Sequence, residues 1–314
     1  MERVRALMVL SENWTLKPQL SIGDLVDLAV AAEAAGVDGI MLSDHIVLGP
    51  SANSEGEPLN LRDYAAPGNQ DPLSPWPSPM VLLAAIAART TTLRLVFGAI
   101  IAPLRHPLNT AKDLGTIDLL SEGRLIVLPT VSWHEEEFRA LNVDFSKRGA
   151  ILDEQLEIWH RAWTENPVSF AGEHYSFDEV YVEPKAYRPK GPTLWFGGSS
   201  VHKSLLARLV KYGSGFNPFG SPTSDELAQM SSVLEAGGRT MDEIEMVGGI
   251  RGRFHSANDV ADLDEALDGV VDQLRQGYRT ICFKPSMFTD SVDEVPEICR
   301  RVVAGLNERL ANLR

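Results

Sequence analysis

Short apolar runs alternate along this chain with longer stretches whose apolar side chains recur at three- and four-residue spacing. The first pattern is that of buried strands and the second that of amphipathic helices, and their strict alternation favours parallel strands joined by crossover helices. Arg3 to Leu10 is the first apolar run. Ser21 then opens a helix with Asp24 as its capping-box partner, Leu25, Leu28, Ala29 and Ala32 on one face, and Gly36 as its stop. Gly39 to Ser43 is strand two, Leu93 to Ile101 strand three and Arg124 to Pro129 strand four. Helices are predicted over Met80–Arg89, with Ser78 and Pro79 at its start, and from Pro107 to about Ser121. A long helix from about Lys147 to Thr164 carries Leu152, Leu156, Trp159 and Trp163 as a core stripe.

Val168 to Phe177, with Gly172 at its middle, reads as a hairpin outside this series. Strand five is Thr193 to Phe196 with helix Val201 to Tyr212, and strand six Gly215 to Phe219 with helix Asp225 to Ala236. Met246 to Ile250 with Asp259 to Gln276, and Thr280 to Lys284 with Asp293 to Asn312, complete strands and helices seven and eight. Eight strand and helix pairs predict a (β/α)₈ TIM barrel as one domain over 1–314. An open doubly wound sheet would carry a glycine fingerprint after strand one, where this chain has Ser11, Glu12, Asn13 and Trp14.

Composition narrows the function classes. A formal charge of −14 without any basic run excludes a nucleic-acid groove. No segment reaches the roughly eighteen apolar residues of a membrane span, and Ala6–Leu10 is too short for a signal sequence, so the expected location is cytoplasmic. Cys282 and Cys299 lack metal or redox spacing and read as buried thiols. The seven histidines include no HxH or HExxH pair, so no metal site is expected.

In a barrel the reactive side chains project from the carboxyl ends of strands. Strand two ends on Ser43, Asp44 and His45, which form either a proton-transfer dyad or an orienting hydrogen-bond pair. After strand five, Gly197, Gly198, Ser199 and Ser200 lead into a helix. This is either a phosphate seat, with close backbone approach and free N–H groups, which Gly213–Gly215 helps to shape, or a tight turn, with Gly213–Gly215 as a helix C-cap. Asn13, Trp14, Trp76 and Trp133 suggest an aromatic, apolar substrate pocket, although tryptophans also serve as core. The stretch Gly49–Pro79 is far longer than ordinary connections and is either a lid or a surface excursion.

Four segments, AEAAGVDGIMLSDHI, TTLRLVFGAIIAPLRHPLNTAKDLGTIDLLSEGRL, SWHEEEFRALNVDFSKRGAILDEQLEIW and FGGSSVHKSLLARLVKYGSGF, together resemble the bacterial luciferase-like monooxygenase superfamily. The likeness is greatest to its branch using coenzyme F-420, a deazaflavin that passes hydride. It implies an oxidoreductase acting on a small organic substrate. The alternatives are an FMN-dependent monooxygenase fed by a separate reductase and a non-catalytic flavin-binding member. The resemblance further implies a homodimer, Asp44 and His45 facing the cofactor ring, and a non-prolyl cis peptide within Gly98, Ala99 and Ile100 behind that ring. It also implies phosphate contacts from Gly197, Gly198 and Ser199. Where relatives have glycines after strand four, this chain has Leu128 to Trp133, with Thr130 expected against the cofactor. Trp133 stands where sugar-phosphate-oxidising members carry a glutamate. Glu135 and Glu136 are expected to begin a helix.

Overall fold

The computed structural model describes residues 3–313. Eight parallel strands close a barrel. In chain order they are β1 (Arg5–Val9), β2 (Gly39–Leu42), β3 (Arg94–Ile101), β4 (Leu125–Thr130), β7 (Thr193–Phe196), β8 (Gly215–Phe216), β9 (Glu245–Gly249) and β10 (Thr280–Phe283). The hairpin β5 (Val168–Ala171) and β6 (Ser176–Val180) pairs antiparallel outside it, so the fifth barrel strand is β7.

Side-chain alternation divides the apolar residues into two layers. Leu7, Val9, Met41, Val96, Ile126, Leu128, Trp195, Val247 and Cys282 fill the barrel, while the larger cluster lies between the strands and the surrounding helices. Trp159 and Trp163 belong to that outer layer, and the Trp163 indole donates to the Ala111 carbonyl at 3.0 Å. Cys282 and Cys299 are both buried and unbridged. At the amino-terminal opening, Arg94 makes a two-point ion pair with Glu245 (2.7 and 2.6 Å), which also accepts from Thr280; this end is closed by structure.

Beyond shifts of a few residues at element ends, three differences from the predicted elements have a local cause. Strand six stops at Phe216, because Pro218 has no N–H with which to extend the ladder. The predicted Asp259–Gln276 helix is two short ones, Leu263–Asp268 and Val271–Arg275, separated at Gly269. Its expected first turn is a loop instead, in which the Asp259 carboxylate accepts from the His255 and Ser256 amides. The helix expected from Val201 begins at Lys203, with His202 as its cap. Among the described residues, no helix is long and apolar enough to cross a membrane.

Candidate active site

The carboxyl ends of β2, β3 and β4 meet at one side of the barrel mouth. Asp44 lies there, but both oxygens of its carboxylate are engaged. It accepts from both Arg105 guanidinium nitrogens at 2.7 and 2.8 Å and from the Ile101 amide at 2.9 Å. Its side chain is wholly buried. The pair clamps the end of β3 to the end of β2, leaving Asp44 to position the backbone.

His45 is placed differently. Its Nδ1 lies 3.1 Å from Glu137 Oε2, and its ring packs edge-on against Trp76 and Trp133, with centroids 5.0 and 6.0 Å away. Glu137 also accepts from the amides of Ile46 at 2.6 Å and Val47 at 3.2 Å, and it has no solvent exposure. Taking a carboxylate out of water costs several kcal/mol, and hydrogen bonds to a charged group each return about 1.5–3 kcal/mol. Three donors therefore replace the water that burial removes from the Glu137 carboxylate. An ionised carboxylate only accepts, so the His45 proton sits on Nδ1 and Nε2 is left to exchange a proton.

The peptide between Gly98 and Ala99 is cis. The β3–β4 register slips here, with Gly98 opposite Leu128 and Ile100 opposite Pro129. As a result Gly98 and Ala99 both lie on the barrel's inner side, while Ile100 turns into the helix-facing core. A cofactor contact from Ile100 is thus limited to its backbone. Thr130 ends β4, half-buried, and its hydroxyl accepts weakly from the Ser132 amide at 3.4 Å. In the turn that follows, Ser132 has φ 59° and Trp133 leans over both His45 and His134. Glu135 and Glu136 do begin a helix, Glu135–Ala140.

Across the mouth, the turn after β7 is open. A Cβ on Gly198 would meet nothing closer than 3.8 Å, and Ser199 and Ser200 are exposed. Gly197 is different: a Cβ there would lie 1.8 Å from the Asn217 carbonyl, so that glycine is needed for the approach of the two chain segments. The turn does not lead directly into a helix. The Val201 amide donates to Glu226 Oε1 at 3.0 Å, and the following helix is capped by His202. Any oxyanion bound here would be held by the Gly198 backbone and the serine hydroxyls rather than by a helix end. Open space over Gly198 and unengaged hydroxyls fit a phosphate-bearing cofactor.

Of the expected pocket residues, Asn13 is spent on structure. Its amide donates to the Val9 and Leu10 carbonyls and accepts from the Ser286 amide. Trp14 packs edge-on against Trp76 at 5.1 Å, and Lys17 Nζ lies 4.0 Å from the Trp14 ring centre. The Trp76 indole N–H is out of solvent and without a partner among the described residues. Trp14, Trp76, His45 and Trp133 thus form one aromatic chain. A cavity of about 330 Å³ beside it is lined by Trp14, Lys17, Leu61, Leu73 and Pro75.

The long segment after β2 lies across the mouth. The Gly49 amide donates to His134 Nε2 at 2.7 Å, and Ser51 donates to Glu136. Farther on, the Asn60 amide reaches the Ser256 and Asp259 carbonyls, Arg62 pairs with Asp290, and Tyr64 packs on the barrel's inner layer. The Pro75 carbonyl returns to Lys17. These contacts give the segment the position of a lid.

Arg105 and Glu137 were not legible as site residues from the strand ends alone. Arg105 carries the single charge in an otherwise apolar stretch after β3, and Glu137 shares the buried helix face of Leu141. Those were the available signals. Among the described residues, no group of three or more His, Cys, Asp or Glu could hold a metal ion.

The sequence pattern of the luciferase-like monooxygenase family matches residues 4–295. The chain belongs to that family. An uncharacterized protein of Mycobacterium tuberculosis is 30% identical over 222 residues, covering 68% of this chain and 73% of its own. The F420-dependent glucose-6-phosphate dehydrogenase of Nakamurella multipartita is 28% identical over 235 residues, covering 72% of this chain and 62% of the dehydrogenase. The crystal structure of monooxygenase RslO1 from Streptomyces bottropensis superposes with a TM-score of 0.71 at 19% identity, covering 98% of this chain and 99% of that one. That last likeness speaks for the fold. The luciferase-like family includes both F-420-dependent and flavin-dependent oxidoreductases.

Proposed function

We propose that the protein is a luciferase-like oxidoreductase that moves hydride between coenzyme F-420 and a small organic substrate, with His45 handling the proton. The observation that carries this reading is the Glu137-held His45, its Nε2 free among aromatic side chains at the end of β2. The F-420-dependent relative and the open Gly198 turn support it further.

The residues that would hold the cofactor are the Gly98–Ala99 backbone beside its ring and Gly198, Ser199 and Ser200 at its phosphate end, with Thr130 between. Bound there, the deazaflavin supplies a two-electron hydride acceptor or donor. His45 Nε2 takes or returns the proton that accompanies the hydride, and the Glu137 carboxylate stabilises the imidazolium formed when it takes one. The lid excludes water from the site, strengthening each of these electrostatic contacts. Trp76 and Trp133 give the reacting part of the substrate apolar walls. Trp133 in place of an acid leaves His45 as the proton carrier at that wall.

Fluorescence titration with coenzyme F-420 and, separately, FMN tests the cofactor. Saturable binding of F-420 at least tenfold tighter than FMN is expected. Retention of FMN without F-420 binding would instead support an FMN monooxygenase working with a separate reductase, which oxygen consumption with added reduced flavin would then establish.

A further inference from the structure

The ends of β9 and β10 carry charged groups that the hydride-transfer reading leaves unused. Alternation puts Cys282 on the inner face of β10 and Lys284 one step higher on the same face, at the mouth. Lys284 has no solvent exposure. Its Nζ donates to the Asp63 carbonyl at 2.9 Å and lies 5.1 Å from the Tyr64 ring centre. Arg251 follows Val247 and Gly249 on the inward parity of β9 and stands 4.5 Å from the same ring. It makes no ion pair or hydrogen bond among the described residues. The Tyr64 hydroxyl, brought in by the lid, is out of solvent and has no hydrogen-bond partner among the described residues.

A buried ammonium needs compensation for its lost hydration. One carbonyl and one ring face supply only part of it, and two of its three N–H donors remain available. Glu12 also faces this space, but it accepts from Ser43 and makes no ion pair with Lys284 among the described residues. Directed, unspent donors beside the Tyr64 ring suit a planar anionic acceptor. Glu12 and Asp63 already balance the two cations in net charge, so a dianion would leave a larger uncompensated negative charge in this buried space than a monoanion.

We propose that Lys284 and Tyr64, aided by Arg251, form a subsite beneath the lid for a carboxylate group of the substrate. In treating the ligand as substrate this rests on the hydride-transfer reading, and it makes that substrate an aromatic or apolar carboxylic acid. Burial lowers the Lys284 pKa to about 8, opposed by Glu12 and Asp63. The remaining groups facing it are Tyr64 and Cys282, both pushed up by burial, and Arg251. Carboxylate binding should therefore weaken as pH rises through about 8, when the lysine loses its charge.

The test is isothermal titration of the full chain, without cofactor, with benzoate, phenyl phosphate and benzyl alcohol. Benzoate should bind at least tenfold tighter than benzyl alcohol and tighter than phenyl phosphate. Lys284→Met should reduce benzoate affinity about tenfold or more, remove its decline between pH 7 and 9.5, and leave benzyl alcohol unaffected. If that variant loses its cooperative melt, Tyr64→Phe and Arg251→Gln carry the test, each expected to weaken benzoate about threefold. Equal binding of benzoate and benzyl alcohol, preference for phenyl phosphate, or unchanged benzoate affinity in the folded variants would overturn the subsite. Because no F-420 is present, failure of the cofactor reading and failure of the subsite give different results.

Discussion

The ends of β2 and β7 face the same opening of the barrel and meet opposite requirements. At β2 nearly every polar atom has an assigned partner: Asp44 with Arg105 and the Ile101 amide, and Glu137 with His45, Ile46 and Val47. At β7 the Cβ direction of Gly198 faces open space, although its carbonyl accepts from the Phe219 amide, and the two serines are exposed. A side chain that must move a proton needs a fixed tautomer and orientation, and buried partners provide both. A turn that must receive a ligand needs unspent donors instead. Within the β2 end the same contrast recurs between neighbours, since both Asp44 oxygens are engaged while His45 Nε2 has no partner among the described residues.

Breaking the two β2 residues separately should give the largest effects. His45→Ala should reduce turnover by roughly 10²- to 10⁴-fold, the usual range for a general acid–base group, with cofactor affinity nearly kept. A loss of folding in its place would assign His45 to structure. Asp44→Ala leaves the Arg105 guanidinium without its carboxylate and should lower stability by about 3 kcal/mol, read from denaturant midpoints. A midpoint within about 0.5 kcal/mol of the parent would mean that the Asp44 pair contributes little to the join between β2 and β3. Glu137→Gln keeps the shape but loses the charge that supports an imidazolium. A ten- to hundredfold fall in turnover is expected, with a shifted pH profile, as for partners that orient a reactive group elsewhere. An unchanged profile would assign Glu137 to the Ile46 and Val47 amides alone.

The β7 turn sharpens the comparison at smaller magnitude. Gly197→Ala should destabilise the fold by about 1–3 kcal/mol, because its Cβ would meet the Asn217 carbonyl at 1.8 Å. Gly198→Ala has room and should leave stability within about 0.5 kcal/mol while weakening cofactor binding several-fold. Equal effects of the two on melting would remove the distinction between a packing glycine and a binding one.

The barrel was legible because eight apolar runs and their helices repeat in one order, and the shortened β8 was lost only through Pro218, two residues beyond its end. The strand-two pair was legible by position. Its division of labour was not, since the partners Arg105 and Glu137 come from 61 and 92 residues farther along the chain. Local pattern carries no record of such meetings. Asn13 illustrates the same limit: a polar residue after a strand reads as pocket lining, yet its amide ties β1 to the turn after β10. Lys284 was counted as a strand end, and only the lid's Asp63 and Tyr64 distinguish it from a surface lysine.

The lid's attachment offers the mildest perturbation. His134 is buried and accepts from the Gly49 amide through Nε2, which requires the neutral ring with its proton on Nδ1. Burial holds its pKa below the ordinary histidine value of 6.5, against the opposing fields of Glu136 and Glu137 and with that of His45. Near and below pH 6.5 the unfolded chain binds this proton before the folded one does. The stabilising contribution is therefore present above about pH 6.5 and is lost as pH falls through the folded value. Protonation converts Nε2 from acceptor to donor, so the Gly49 amide is released before the barrel melts. Hydrogen exchange between pH 7.5 and 5 should show reduced protection of Gly49, after correction for intrinsic rates, with β1 to β4 unaffected. His134→Gln, whose amide oxygen can accept without titrating, should flatten that dependence. A Gly49 protection factor that is constant with pH in the parent would mean that His134 does not anchor the lid, and that the contacts of Ser51, Asn60 and Arg62 hold it without help.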